Sequence, residues 1–174
     1  MYRLIHSEDM PEDVKAWNFH FHINEACKKY SIDPMVIYAL ILTESNGDPY
    51  AYRYEPETIY YYVKWHTKYP KWPGIDDDSK KMLQKSSIGL CQVMGSTAID
   101  MGFTDITTMM CIPKISIDIG VKYWYLQAER FKTTNPLKTY FAYNTGSFYE
   151  STFSLTKNVK AYSSNLEKMG YYNE

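Results

Sequence analysis

The strongest candidate for chemistry in this sequence is Glu44, which follows an apolar segment and stands just before a polar turn. Asp33 and Pro34 are typical of a helix start, and Asn46–Gly47 is typical of a helix end. Because Glu44 continues the apolar face of this segment at helical spacing, the sequence predicts a carboxylate on the buried face of a helix, at its C-terminal end. Apolar surroundings and the helix dipole both disfavour the charged form, so we expect a raised pKa, as a general acid requires.

Two further segments carry groups that suit the binding of a sugar. Residues 86–98 contain the amide of Gln92 and the thioether of Met94, and residues 141–146 contain Tyr143 and Asn144 before a glycine. Amide groups and a tyrosine hydroxyl can hold sugar hydroxyl and acetamido groups.

Each of these residues also has a purely structural explanation. Glu44 is a solvated or ion-paired residue in that interpretation, and Gln92 is an exposed helix residue. Asn144 then serves as a helix cap and Tyr143 as part of the core. Taken singly, Gln92, Asn144 and Tyr143 each fit the structural explanation, so the order of the segments has to decide.

The hydrophobic pattern that must position these side chains predicts a mainly α-helical fold in a single domain over residues 1–174. Predicted helices cover residues 11–30, 33–46, 80–85, 90–102, 113–132, 135–143 and 155–168. From residue 49 to about residue 79 the pattern is lost in a stretch rich in Tyr, Trp, Lys and Pro. We interpret this stretch as a long loop with at most a short helix or strand pair, and loops of this length are often functional.

Composition and charge exclude several classes of function. The 174 residues include 19 Lys and Arg against 20 Asp and Glu, so no overall positive field attracts nucleic acid or an anionic membrane. No apolar run reaches the length of a membrane span, and the N-terminus lacks a recognisable signal peptide. The histidines are not spaced as metal ligands, so we expect neither a metal site nor a cofactor.

Three cysteines, Cys27, Cys91 and Cys111, form an odd set without CxxC spacing. That set argues against a disulfide framework and fits a protein made in the cytoplasm.

Three motifs occur in an order that resembles the soluble lytic transglycosylase (SLT) family over roughly residues 30–147. They are Glu44–Ser45 after the apolar helix, then Gly-Leu-Cys-Gln-Val-Met at residues 89–94, then Ala-Tyr-Asn-Thr-Gly at residues 142–146. The resemblance implies a lysozyme-like helical fold in which Glu44 is the single catalytic acid and base. It also implies a substrate groove, to which we assign Ser87, Gln92, Met94, Tyr143 and Asn144.

The sequence departs from the family pattern around the second motif. Cys91 replaces the usual Met, Ser86–Ser87 replace the usual Gly-Ala, and Gly95 replaces the usual Pro. The aromatic-rich insertion at residues 49–86 lies between the first and second motifs. We expect this insertion to act as a lid or as a wall of the groove.

The resemblance implies cleavage of the bond between N-acetylmuramic acid (MurNAc) and N-acetylglucosamine (GlcNAc) with closure of a 1,6-anhydro ring. That reaction needs one carboxylate, whereas hydrolysis by a muramidase usually needs two. Asp48, Glu55 and Glu57 are the nearby candidates for a second carboxylate, and Glu55 is the best of them. The alternative to a catalytic role for Glu55 is an ion pair with Arg53 or a nearby lysine, and this is the interpretation that we favour.

The Arg-Tyr-Glu-Pro stretch at residues 53–56 is similar to SLT-type proteins of bacteriophages and prophages. The resemblance implies peptidoglycan glycan strands as the partner, and a phage endolysin or a virion-borne enzyme, with virion proteins as further partners, acting on the bacterial cell wall. Two other classes of function remain as alternatives. One is a non-catalytic wall-binding or virion structural module, and the other is a single-stranded nucleic-acid binder that stacks bases on the aromatic stretch, which the near-neutral charge disfavours.

Overall fold

The structure, a computed structural model, describes residues 19–58, 71–147 and 153–172. Its helices are α1 (His20–Tyr30), α2 (Pro34–Ser45), α3 (Asp77–Gln84), α4 (Gly95–Asp100), α5 (Pro113–Phe131), α6 (Pro136–Thr145) and α7 (Lys157–Lys168), with a 3-10 helix η1 (Thr107–Cys111). Its strands are β1 (Tyr52–Tyr54), β2 (Ser86–Ile88) and β3 (Val93–Met94). The predicted mainly α fold is therefore confirmed.

Helix α2 lies at the centre of the fold, and its ends are fixed by the residues that the sequence indicates. The Asp33 carboxylate accepts a hydrogen bond of 2.9 Å from the Met35 backbone N–H, and Pro34 occupies the first turn. The helix ends where Asn46 adopts a left-handed conformation, with φ of 51°. Its residues from Pro34 to Ile41 are all buried, so the helix is apolar on every side rather than along one stripe.

The other long helices pack around α2 and around one another. Helix α2 packs on α7, α1 packs on α5, and α6 lies against both α5 and α7. Two tyrosines join α6 to α7, because the rings of Tyr140 and Tyr162 stack with centroids 4.3 Å apart. The Tyr162 hydroxyl also donates to the Val36 carbonyl of α2 at 3.1 Å. These contacts hold α2 and α6 against the same helix, α7.

The three short strands form an antiparallel sheet in the order β1–β2–β3. This sheet replaces most of the helix predicted at residues 90–102, of which only α4 is observed, so that prediction was wrong. The reason lies in the turn between β2 and β3. Gly89 has φ of 78° and Gln92 has φ of 47°, and a Cβ atom on Gly89 would lie 2.1 Å from the Met110 carbonyl oxygen. A continuous helix cannot contain these left-handed residues.

The remaining helix predictions agree with the structure to within a few residues. Helices α5, α6 and α7 correspond to the predictions at 113–132, 135–143 and 155–168, and α1 covers the described part of 11–30. Helix α3 begins before the predicted residue 80, because the Asp76 carboxylate caps it through the Ser79 backbone N–H at 2.9 Å. The sequence did not predict η1.

The described parts of the aromatic insertion contribute strand β1 and a small second hydrophobic cluster. Trp72 is buried there with Leu83 and Ile99, and its indole N–H donates to the Thr104 carbonyl at 3.1 Å. The central part of the insertion, residues 59–70, lies outside the described residues. Of the short helix or strand pair anticipated between residue 49 and about residue 79, the described residues contain strand β1, which pairs with β2 outside that stretch, and the start of α3.

Candidate active site

Glu44 is the second-last residue of α2, and its half-buried carboxylate faces α6. The Tyr140 hydroxyl donates a hydrogen bond of 2.8 Å to Glu44 Oε1. Burial is the largest influence on this group and raises the pKa of Glu44 above its ordinary value. The Tyr140 hydrogen bond and the positive charge of Arg53 act in the opposite direction, and the negative charge of Glu55 acts with burial. The net effect is the raised pKa that the sequence predicts.

The next residue, Ser45, ties the end of α2 to the β2–β3 turn. Its hydroxyl donates to the Leu90 carbonyl at 2.8 Å and approaches the Ile41 carbonyl of its own helix at 3.2 Å. The Glu-Ser pair of the first motif therefore fixes the second motif beside the carboxylate.

A groove of about 290 Å³ opens in front of Glu44. The end of α2, strand β1 with the residues after it, the β2–β3 hairpin and the end of α6 form most of its lining, and Thr97 of α4 and Tyr123 of α5 also contribute. All six residues that the sequence assigns to the site contribute to this lining, namely Glu44, Ser87, Gln92, Met94, Tyr143 and Asn144. The groove thus brings together side chains that are as much as 100 positions apart in the chain.

A family model described as "Transglycosylase SLT domain" matches residues 21–165 of this chain. This chain belongs to the SLT family. Members of the family are lytic transglycosylases that act on peptidoglycan. Searches of the curated proteins and of the solved structures each give no significant match.

Within this SLT domain, Gln92 is not the exposed helix residue that its purely structural explanation required. It is buried in the β2–β3 turn, and its amide nitrogen donates to the Ala51 carbonyl at 2.9 Å and to the Gly89 carbonyl at 2.8 Å. The amide therefore braces the turn against the start of β1. Only the amide oxygen remains for a hydrogen bond to a sugar.

Tyr143 is also committed to the protein rather than to solvent. Its hydroxyl donates to the Cys91 carbonyl at 2.7 Å, and its ring contacts Tyr123 at 4.8 Å between centroids. The approach of α5 to this turn depends on Gly120, because a Cβ atom there would lie 2.4 Å from Cys91 Cβ and Sγ. Tyr143 thus lines the groove while its hydroxyl fixes the turn.

Asn144, Met94 and Ser87 complete the predicted set. Asn144 is exposed near the end of α6, and its side-chain oxygen accepts from Asn158 Nδ2 at 3.3 Å. The Met94 sulfur accepts a weak hydrogen bond from the Thr58 hydroxyl at 3.8 Å. Ser87 pairs with Met94 across the hairpin and so lies beside it in the groove lining.

Glu55 lines the groove, but its carboxylate is held by two neighbours. Arg53 donates to Glu55 Oε1 through Nε at 3.2 Å and Nη2 at 3.0 Å, and the Ser87 hydroxyl donates to the same oxygen at 2.7 Å. The ion pair with Arg53 that the sequence favours is therefore observed.

The sequence did not single out Tyr140, the residue in direct contact with the Glu44 carboxylate. Tyr140 precedes Tyr143 by one helical turn, so both side chains lie on the same side of α6. That spacing was a usable signal, but the abundance of tyrosine in the chain concealed it. The contribution of Arg53 to the groove was missed for a different reason, because it depends on strand β1.

Two features of the described residues bear on cofactors and membranes. Within residues 19–58, 71–147 and 153–172, no group of three or more His, Cys, Asp and Glu side chains is arranged to hold a metal ion. No helix in that part of the chain combines the length and the apolar character needed to cross a membrane.

Proposed function

We propose that this SLT domain cleaves the MurNAc-β-1,4-GlcNAc bond of peptidoglycan with Glu44 as its only acid and base, and that the product ends in 1,6-anhydro-MurNAc. The observation that carries the proposal is the raised pKa of the Glu44 carboxyl in the groove, where the Tyr140 hydroxyl donates to it. The second lining carboxylate, Glu55, is engaged by Arg53 and Ser87.

In the first step, the protonated Glu44 donates its proton to the glycosidic oxygen while the bond from that oxygen to C1 of MurNAc breaks. The leaving GlcNAc takes the electron pair of that bond, and positive charge develops on the MurNAc ring. The Tyr140 hydrogen bond favours the Glu44 carboxylate that forms in this step.

In the second step, the Glu44 carboxylate removes the proton of the MurNAc 6-hydroxyl, and O6 bonds to C1. Glu44 is then protonated again, and no water has been consumed. A single group thus serves both steps, which agrees with an ion-paired Glu55 that is not needed as a base or a nucleophile.

Mass spectrometry of muropeptides tests this proposal. Purified peptidoglycan is digested with the wild type and with Glu44→Gln, and a lysozyme serves as the positive control. The proposal predicts anhydro-MurNAc ends that disappear in the variant. Reducing MurNAc ends that depend on Glu44 would instead indicate a hydrolytic muramidase, and Glu55→Gln would then be the next variant. No product from the wild type would indicate a non-catalytic wall-binding or structural module.

For the biological setting we propose a phage endolysin or a virion-borne wall-degrading enzyme, which would have virion proteins as partners. The Arg-Tyr-Glu-Pro stretch at residues 53–56 supports this proposal by its similarity to phage and prophage proteins of the family. Immunodetection in purified phage particles distinguishes the two roles. A signal that co-purifies with particles supports the virion-borne enzyme, and a signal confined to the lysate supports the endolysin.

A further inference from the structure

Arg53 lies in the lining of the Glu44 groove, and the register of the small sheet places it opposite Ser87. Arg53 pairs with Ser87 across the β1–β2 ladder, and Glu55 follows two residues later along the same chain. One oxygen of Glu55 accepts all three hydrogen bonds, from Arg53 Nε, from Arg53 Nη2 and from the Ser87 hydroxyl. The guanidinium plane is therefore oriented before any ligand binds.

The opposite edge of this guanidinium remains available to a ligand. The Arg53 side chain is 58% exposed although it lines the groove, and Nη1 has no hydrogen-bond partner among the described residues. A planar guanidinium that is anchored along one edge presents N–H groups from its other edge, in a geometry that matches a carboxylate. A ligand group that meets Arg53 is thus expected to be anionic.

The substrate class proposed above carries such groups. A bare strand of N-acetylated sugars is neutral except at the lactyl groups of its muramic acids. The stem peptides attached to those lactyl groups carry free carboxylates. Resting on the proposed function, we propose that Arg53 binds a stem-peptide carboxylate of the MurNAc held beside Glu44, and so makes the groove specific for peptide-bearing glycan.

Glu55 is a positioning residue in this arrangement, because it acts through Arg53. The Glu55 carboxylate fixes the orientation of the Arg53 guanidinium and offsets its positive charge while no ligand is bound. A bound carboxylate adds a second negative charge near Glu44, which favours the protonated form that donates to the glycosidic oxygen. Recognition of the peptide would therefore also prepare the general acid.

Steady-state kinetics on two forms of the same cell wall test the role of Arg53. One form is native peptidoglycan, and in the other the carboxylates have been converted to primary amides. The variants are Arg53→Ala and Arg53→Lys, with Lys160→Ala as a control that removes an exposed positive charge on α7, outside the groove lining. Each protein is measured at its own pH optimum, since Arg53 also influences Glu44.

We expect Arg53→Ala to raise KM on native wall about tenfold with little change in kcat, as for loss of one charge-assisted contact. The KM of Arg53→Lys should lie between those of the wild type and Arg53→Ala, because lysine keeps the positive charge but not the paired N–H donors of the guanidinium. On the amidated wall, the KM of the wild type should rise to that of Arg53→Ala. Lys160→Ala should have the same KM as the wild type on both walls.

Two outcomes would overturn the inference while leaving the proposed function intact. One is that Arg53→Ala raises KM relative to the wild type by the same factor on native and on amidated wall, which would mean that Arg53 acts only on Glu44 or on the fold. The other is an unchanged KM on native wall. Failure of the proposed function looks different, because the wild type would then release no product from either wall where the control lysozyme does, or would release only products with reducing MurNAc ends.

Discussion

Replacing Glu44 by glutamine should lower the activity by orders of magnitude and, at neutral pH, make the protein more stable. Burial of the carboxylate raises its pKa in the folded state above the value in the unfolded chain. At a pH below the pKa of Glu44 in the unfolded chain, the carboxyl is neutral in both states, and no free energy is spent on burying a charge. As the pH rises through the folded pKa, the folded state must carry a buried charge, and stability is lost. Glutamine is neutral throughout and keeps an oxygen to accept the Tyr140 hydrogen bond.

The size of the gain follows from the same linkage. Each unit by which the pKa is raised corresponds to about 1.4 kcal/mol of stability at a pH well above both values. For a domain of this length, about 1 kcal/mol shifts Tm by about 2–4 °C. Each unit should therefore appear as a Tm of Glu44→Gln about 3–6 °C above that of the wild type. The activity should fall by about 10²–10⁴-fold, which is the usual contribution of a general acid and base.

Thermal unfolding followed by circular dichroism between about pH 4 and pH 8 measures this effect. Glu167→Gln is a closely matched control, because Glu167 is also the second-last residue of its helix, α7, but is exposed. We expect the advantage of Glu44→Gln to be largest at high pH and to disappear at low pH, while Glu167→Gln stays close to the wild type. A variant that is less stable than the wild type at pH 8, or a difference that does not vary with pH, would refute the reasoning.

Three further predictions concern the neighbours of Glu44. Tyr140→Phe removes the hydrogen bond to the carboxylate, so the pKa of Glu44 should rise and the alkaline limb of the pH–rate profile should move to higher pH; a shift to lower pH would contradict this role. Gly120→Ala places a methyl group against Cys91 and should cost about 1–3 kcal/mol in denaturant unfolding, with partial recovery in the double variant with Cys91→Gly; strictly additive losses would argue against the contact. Gln92→Ala removes two side-chain hydrogen bonds to carbonyls that each keep a backbone N–H donor, and it should lower the free energy of unfolding by about 1–3 kcal/mol; a loss below about 0.5 kcal/mol would mean that the turn does not need this brace.

The sequence by itself was sufficient to place Glu44. The ends of α2 are set by local interactions of Asp33, Pro34 and Asn46, and the apolar residues between them leave this carboxylate at the end of a buried segment. Because such capping and burial signals are local, they can be recognised in the sequence. The long helices α5, α6 and α7 were predictable for the same reason.

The β2–β3 hairpin could not be predicted, because its cause is not local. Residues 90–102 carry a helical pattern, yet Gly89 must pass close to the Met110 carbonyl, and the Gln92 amide is drawn to the carbonyl of Ala51. Contacts with distant residues therefore outweighed the local preference for helix. The same contacts turned Gln92 from a predicted sugar ligand into a brace that retains only one polar atom for the groove.

The sequence thus determined which side chains are candidates for the chemistry, and the tertiary structure decided how each is used. Helix periodicity and capping supply Glu44, while only the packing of α2 and α6 on their common neighbour α7 brings Tyr140 to within 2.8 Å of it. Likewise, only the register of the sheet places Ser87 opposite Arg53, where both hold Glu55. Contacts between residues far apart in the chain depend on the whole fold, and no local pattern in the sequence encodes them.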